Sequence, residues 1–200
     1  MFNLESVLEI VGLVSGLACV WLLIRQNVLT FPLGLAYAVV SVVVMYRARL
    51  YSDVLLNAYY VVVNGYGWWH WSRVRETTGE ALAVTRTPRG QIALLGILAV
   101  LGIVLLSWFF GTHTDAERVT WNATTTVLSF VAMWMSARKY LENWWLWLVV
   151  NILSIGLYFL QGVLAYALLY TVYLVMAVTG YRSWRASMQA SLKAGEGGGA

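Results

Sequence analysis

The sequence predicts an all-α integral membrane protein: seven transmembrane helices, arranged as two parallel three-helix bundles joined by a linker helix. Three observations predict it. Of the 200 residues, 60% are hydrophobic and only 11% charged, against roughly 25% charged in a soluble domain. The apolar residues gather into seven runs near the ~17–25 residues that a spanning helix requires. The third run also echoes the seventh: a shift of 115 positions lays Tyr51 on Tyr166, Gly65 on Gly180, Tyr66 on Tyr181 and Trp69 on Trp184. Repeats of this kind build membrane proteins whose halves enclose a path, so transport is the first expectation.

The runs cover residues 4–24, 31–46, 53–71, 91–110, 117–137, 144–160 and 165–181. The first carries Glu5 and Glu9 where a leader would be basic, with no small-residue cleavage site behind it, which predicts a retained span. Its Gly12-Leu13-Val14-Ser15-Gly16 is a GxxxG pattern, a helix-contact signal. Three helices end on the side opposite their start, so a second unit of the same orientation needs one extra crossing. The fourth run fits as that connector. Residues 92–106 hold no charge, amide or aromatic ring and offer a solute nothing, which predicts lipid or subunit contact. The expected domains are a first bundle over 1–71, a cytoplasmic loop plus linker helix over 72–116, a second bundle over 117–185 and a disordered glycine-rich tail over 186–200. The alternation of a transmembrane barrel is absent, and the lone Cys19 excludes an internal disulfide.

Basic residues set the orientation. Arg25, Arg73, Arg75, Arg86, Arg89, Arg138, Lys139, Arg182, Arg185 and Lys193 fall on one side, ten of the 13 Lys and Arg, leaving Arg47, Arg49 and Arg118 opposite. This places the amino terminus outside and the carboxyl terminus in the cytoplasm.

Polar side chains are costly inside a bilayer and face a cavity or another helix. Here they form helical stripes. The third run has Asn57, Tyr60, Asn64 and Trp68 on one face. The fifth has Asn122, Thr125, Ser129, Met133 and Ser136, with Trp121 and Trp134 nearby. The sixth has Trp147, Asn151, Ser154, Tyr158 and Gln161, and the seventh a ladder of Tyr166, Tyr170 and Tyr173; Tyr37 and Ser41 add to these from the second. Indole and phenol faces stack on flat rings and attract ring cations, while amides and hydroxyls bond hydroxyls or a carboxamide. A solute joining an aromatic ring to several hydroxyls satisfies both.

Plainer roles compete. Trp68, Trp69, Trp71, Trp144, Trp145, Trp184 and Tyr181 lie near run ends, where aromatic residues anchor at the interface; anchoring is the favoured reading for Trp69, Trp71 and Trp184. Thr124, Thr125 and Thr126 are as suited to helix packing as to a ligand. Asn64 and Asn151, each inside an apolar run, favour a cavity or substrate role. No acidic residue lies mid-span, since Asp53, Glu117 and Glu142 sit near run ends, so downhill movement is favoured over proton coupling. There is no P-loop. His70 and His113 are isolated, and Lys139 and Lys193 lie outside the spans. No metal, cofactor, nucleic acid or enzymatic reaction is expected.

Asn27-Val28-Leu29-Thr30-Phe31-Pro32-Leu33-Gly34, Tyr51-Ser52-Asp53 and Tyr66-Gly67-Trp68-Trp69-His70-Trp71 resemble motifs of the PnuC nicotinamide riboside transporters. So do Trp121, Thr124 to Thr126, Ser129-Phe130, Arg138-Lys139, Glu142-Asn143-Trp144, Leu169 to Tyr173 and Gly180-Tyr181-Arg182-Ser183-Trp184. The likeness spans about residues 26–185. It implies a bacterial inner-membrane homotrimer with a SWEET-like fold, and facilitated diffusion of a vitamin-type nucleoside trapped by a cytoplasmic riboside kinase. The expected substrate-binding set is Asn57, Tyr60, Asn64, Trp68, Trp121, Thr125, Trp134, Asn151, Tyr158, Tyr170 and Tyr173. The family also includes carriers suited to thiamine, riboflavin or deoxynucleosides. Met133 stands where an amide is expected in nicotinamide riboside carriers. A sugar facilitator and a seven-helix sensor are the remaining alternatives.

Overall fold

A computed structural model describes residues 4–47, 51–113 and 118–197. These fold as seven helices: α1 Leu4–Ile24, α2 Thr30–Arg47, α3 Tyr51–Thr78, α4 Arg89–His113, α5 Val119–Ala137, α6 Asn143–Leu160 and α7 Leu164–Gly197. No strand occurs among the described residues. Glu117 and Arg49 lie outside them, as do the side chains of Glu5, Glu9, Arg47, Tyr51 and Asp53.

By length and composition α4, α6 and α7 can each cross a membrane, and α1 and α2 contain the shorter apolar stretches Gly12–Ile24 and Thr30–Val43. Polar residues thin the apolar content of α3 and α5. α3 runs about two turns beyond the expected 71, carrying Arg73, Arg75 and Glu76, because a helix need not stop where its hydrophobic part does. It stops at Gly79, whose φ of +71° suits the left-handed position that ends helices. The tail expected to be disordered over 186–200 is helical to Gly197, a continuation of α7 through good helix formers such as Ala186, Met188, Gln189, Ala190 and Leu192; residues 198–200 lie outside the described ones.

The chain divides into two compact units, Met1–Leu82 and Ala83–Ala200. In the first, α2 packs on α1 and α3; in the second, α4 packs on α5, α5 on α6 and α6 on α7. The units share an internal plan, but its register is 113 residues, not 115. α2 and α6 coincide end to end under that shift, and α3 and α7 start on the same residue. α1 and α5 end in the same turn. Gln26 donates to Leu23 O and Asn27 to Leu22 O, each at 2.9 Å; Lys139 donates to Ser136 O and Tyr140 to Met135 O, each at 3.0 Å. This is the paired bonding of a Schellman cap, with Gln26 (φ 55°) and Lys139 (φ 59°) left-handed.

The shift of 115 paired the wrong glycines, because Gly65-Tyr66-Gly67 offers two. The structure uses Gly67. The Phe31 ring lies where a Cβ on Gly67 would stand 2.3 Å from it, and the Trp144 ring stands likewise 2.3 Å from a Cβ on Gly180. Phe31 then meets Trp71 edge to face at 5.0 Å, and Trp144 meets Trp184 at 5.4 Å. Trp71, Trp144 and Trp184 are 4%, 1% and 0% exposed. They are therefore packing residues, which corrects the anchor reading, while Trp68, Trp69 and Trp145 remain exposed. The first turn bears Thr30 Oγ1 donating to Cys19 O at 2.9 Å. The second bears the wholly buried Asn143, whose Oδ1 lies 3.1 Å from Ser136 Oγ and whose Nδ2 donates to Tyr140 O.

In the second unit the segment before α4 lies along the α5–α6 turn. Thr85 N–H donates to Lys139 O and Leu141 N–H to Thr85 O. Glu142 Oε2 accepts from both the backbone and the hydroxyl of Thr87, at 2.8 Å each. Lys139 is buried, 1% exposed, and loss of hydration lowers its pKa to about 8 from 10.5.

Two predictions follow from this packing. Gly67→Ala and Gly180→Ala each push a methyl group into a ring and should cost about 1–3 kcal/mol, read as a drop in melting temperature. Trp144→Phe copies Phe31 and removes an indole N–H that has no partner, so it should stay within about 1 kcal/mol of the native chain, against about 3–5 for Trp144→Ala. For Lys139 the sign follows from the lowered folded pKa. The unfolded chain binds more protons between pH 8 and 10.5, so stability should rise with pH across that window. Lys139→Gln, which copies Gln26, should flatten the rise in tryptophan-fluorescence melts; an unchanged slope would refute the assignment.

Candidate functional site

The expected site residues fall into local groups inside each unit. On α3, Asn64 is 5% exposed. Its Nδ2 donates to Tyr60 O at 2.8 Å, and its amide fills the space left by Gly34, where a Cβ would stand 2.6 Å from Oδ1. Asn64 thus fastens α3 to α2, with one acceptor left over. Asn57 and Tyr60 are half-buried on the same face. Trp68, three turns from Asn57 and about 16 Å along the axis, is apart from them. It lines a groove of about 520 Å³ with Trp69, Arg73 and Glu76.

On α5, Trp121 Nε1 donates to Leu153 O of α6 at 3.0 Å, and its ring lies 3.1 Å from where a Cβ on Gly156 would be. The indole is held by α6 and holds it in turn. Thr125 Oγ1 bonds back to Asn122 O at 3.0 Å, and Ser129 Oγ to Thr125 O at 2.7 Å. These hydroxyls spend their hydrogens on their own helix and keep only acceptor capacity. Trp134 is half-buried, one turn before the α5 cap. The 113-residue register pairs it with Trp21, which the stripe pattern passed over and which carries Arg25 over its ring at 4.7 Å.

The structure brings together the aromatic residues of α6 and α7. α6 ends in a third Schellman turn: Val163 donates to Tyr158 O at 2.9 Å and Gly162 to Phe159 O at 3.1 Å, with Gly162 at φ +75°. Reversing the chain over so few residues stacks Tyr158 on Tyr166 (5.1 Å, 25°) and on Tyr170 (5.4 Å, 23°). Tyr170 meets Tyr173 edge to face at 5.8 Å. Tyr166 belongs to this cluster although the expected set omits it; the spacing Tyr166–Tyr170–Tyr173 was its signal. One face of α6 continues inward from Tyr158 through Ser154 and Asn151, each 4% exposed, to Trp147, whose Nε1 donates to Ser136 Oγ at 3.3 Å. The surface so built joins flat rings to amide and hydroxyl groups and carries no charge.

A family model described as nicotinamide mononucleotide transporter matches residues 6–186. The chain belongs to this family. It is 28% identical over 203 residues to the nicotinamide riboside transporter PnuC of Escherichia coli, covering 90% of this chain and 85% of that one. It is 32% identical to PnuC of Neisseria mucosa, covering 92% and 74%, and 26% identical to the riboflavin/roseoflavin transporter RibM of Streptomyces davaonensis, covering 88% and 83%. The crystal structure of the vitamin B3 transporter PnuC matches with a TM-score of 0.72 at 28% identity, over 94% of this chain and 85% of that one. The PnuC family resemblance read from the motifs is therefore correct, and the chain is a member of a family of membrane transporters.

Proposed function

We propose that this protein is a uniporter carrying nicotinamide riboside into the cytoplasm, where phosphorylation by a riboside kinase traps it. The observation that carries the reading is the stacked Tyr158–Tyr166–Tyr170 cluster in a chain related along nine-tenths of its length to nicotinamide riboside carriers. The substrate has a flat cationic ring, which tyrosine faces attract, and a ribose, which amides and hydroxyls bond. Tyr158, Tyr170 and Tyr173, with Trp134 and Trp68, stack on the solute or gate its path. Asn57, Asn64 and Asn151 supply hydrogen bonds, and Tyr60, Trp121 and Thr125 complete the lining. α1–α3 and α5–α7 are two copies of one three-helix unit joined by α4, as in SWEET-like carriers. The protein acts as a homotrimer in the inner membrane, with its amino terminus outside. No enzymatic step belongs to the reading.

A second vitamin has its own support. Met133 stands where an amide would bond a carboxamide, and one relative carries riboflavin, a larger flat ring with a hydroxylated chain.

Uptake into liposomes loaded with or without a riboside kinase and ATP decides between them. Rapid equilibration of labelled nicotinamide riboside without kinase, and accumulation only with it, is the expected result. Uptake that only riboflavin or thiamine blocks would reassign the substrate, and accumulation without kinase or ATP would sink the uniport mechanism. Tyr158→Ala should raise KM about tenfold, near the upper range for a lost ring contact, whereas Tyr158→Phe should change it less than about threefold. Equal losses in both would show that the hydroxyl matters and not the ring face.

A further inference from the structure

The 113-residue register relates two grooves, one in each unit. Gly65, Trp68, Trp69, Ser72 and Glu76 of the first correspond to Val178, Tyr181, Arg182, Arg185 and Gln189 of the second. The frame is shared but the charge is not. The first groove holds one arginine, Arg73, lying over Trp69 at 5.4 Å, and a carboxylate, Glu76. The second, of about 420 Å³, holds two arginines and no carboxylate among its lining residues. Arg182, Arg185 and Gln189 recur at i, i+3 and i+7, so they share one face of α7.

The chemistry of that face is graded along the helix. Leu168, Val172 and Val175 are 68%, 48% and 62% exposed, an apolar strip with room for an acyl chain. Next come Val178 and Leu148, then the rings of Trp145 and Tyr181 at 5.1 Å, the residues that favour the ester level of a bilayer. The guanidinium groups follow one turn further. Apolar strip, aromatic level and paired arginines reproduce the order of tail, glycerol and phosphate in a phospholipid. A free phosphate would have no use for the apolar strip.

We propose that the groove of Trp145, Tyr181, Arg182, Arg185 and Gln189 binds the headgroup of an anionic phospholipid, its acyl chains lying along α7. The arginines take the phosphate in the forked geometry suited to phosphodiesters, and Gln189 bonds the headgroup hydroxyls. The proposal rests on the chain spanning a bilayer, and it is independent of which solute the protein carries.

Native mass spectrometry of the detergent-purified protein, titrated with phosphatidylglycerol or phosphatidylcholine, tests it. The native chain should retain phosphatidylglycerol in preference to phosphatidylcholine. At about fivefold per arginine near a lipid surface, Arg182→Gln/Arg185→Gln should weaken retention roughly thirtyfold. Arg73→Gln, the change in the other groove, should leave it within twofold. Both sets of arginines are exposed, and unchanged melting temperatures will establish that the variants are folded. Equal retention of the two lipids, equal loss in both variants, or displacement of phosphatidylglycerol by millimolar inorganic phosphate or nicotinamide mononucleotide would overturn the proposal; the last would make the groove a soluble-phosphate site. Uptake of nicotinamide riboside by the same variants reconstituted into liposomes separates failure of this site from failure of the transport reading.

Discussion

Each three-helix set depends on one contact: an aromatic ring from the start of the middle helix seated on a glycine of the third. Lipid tails are as apolar as side chains, so burial alone does not press membrane helices together. Close approach and dispersion must do so, and small residues allow the approach. Phe31 on Gly67 and Trp144 on Gly180 meet this need, and Trp71 and Trp184 close the other side of each ring. Four rings, Phe31, Trp71, Trp144 and Trp184, are thereby buried. The ring can sit there only because the Schellman turn before it brings the middle helix back at a fixed angle, with Gln26 and Lys139 accepting left-handed backbone conformations to do so. A left-handed non-glycine residue costs about 1–2 kcal/mol, which the packing it permits must offset.

The two sets differ where the frame leaves freedom. At the contact of middle and third helices the first set places Gly34 against Asn64; the corresponding residues of the second are Trp147 and Ala177. Small and large have changed places. The same exchange of chemistry recurs along the third helix, where Asn57 corresponds to Tyr170, while Tyr60 and Tyr173 correspond without change. A duplicated unit can thus keep its packing and present an amide-rich surface in one copy and a tyrosine-rich one in the other.

Helix number and type were legible in the sequence because composition and run length decide them. The repeat was legible too, but its register was not. Letter identity favoured Gly65 with Gly180, whereas the physical equivalence is of glycines that receive a ring, and the ring comes from another helix. For the same reason Trp71 and Trp184 read as interface anchors: nothing within one run shows that a tryptophan at its end is covered by a neighbour. Asn64 was singled out as an amide inside an apolar run, yet a stripe cannot reveal that its amide bonds Tyr60 O of its own helix, nor that the Trp121 indole is spent on Leu153 O. The tyrosine cluster was the opposite case. Its residues recur at helical spacing on α7 and near the end of α6, so the turn at Gly162 leaves them little choice but to meet.

The turn between α5 and α6 shows how a common frame acquires a distinct load. Where the first set has Gln26 and Asn27, with Asn27 Oδ1 accepting from Leu29 N–H, the second has Lys139 and Tyr140 under a strap of residues 84–87. The strap borrows the backbone of the turn for a single parallel bridge and fixes itself with Thr87 on Glu142. It leads directly into α4, so α4 is tied to the rest of the second unit through the very turn on which the packing of α5 to α7 depends. Lys139, whose carbonyl accepts from Thr85 N–H in that tie, is a buried lysine at the turn itself. A residue in its place that needed no charge would suit the turn as well, as Gln26 does in the first copy.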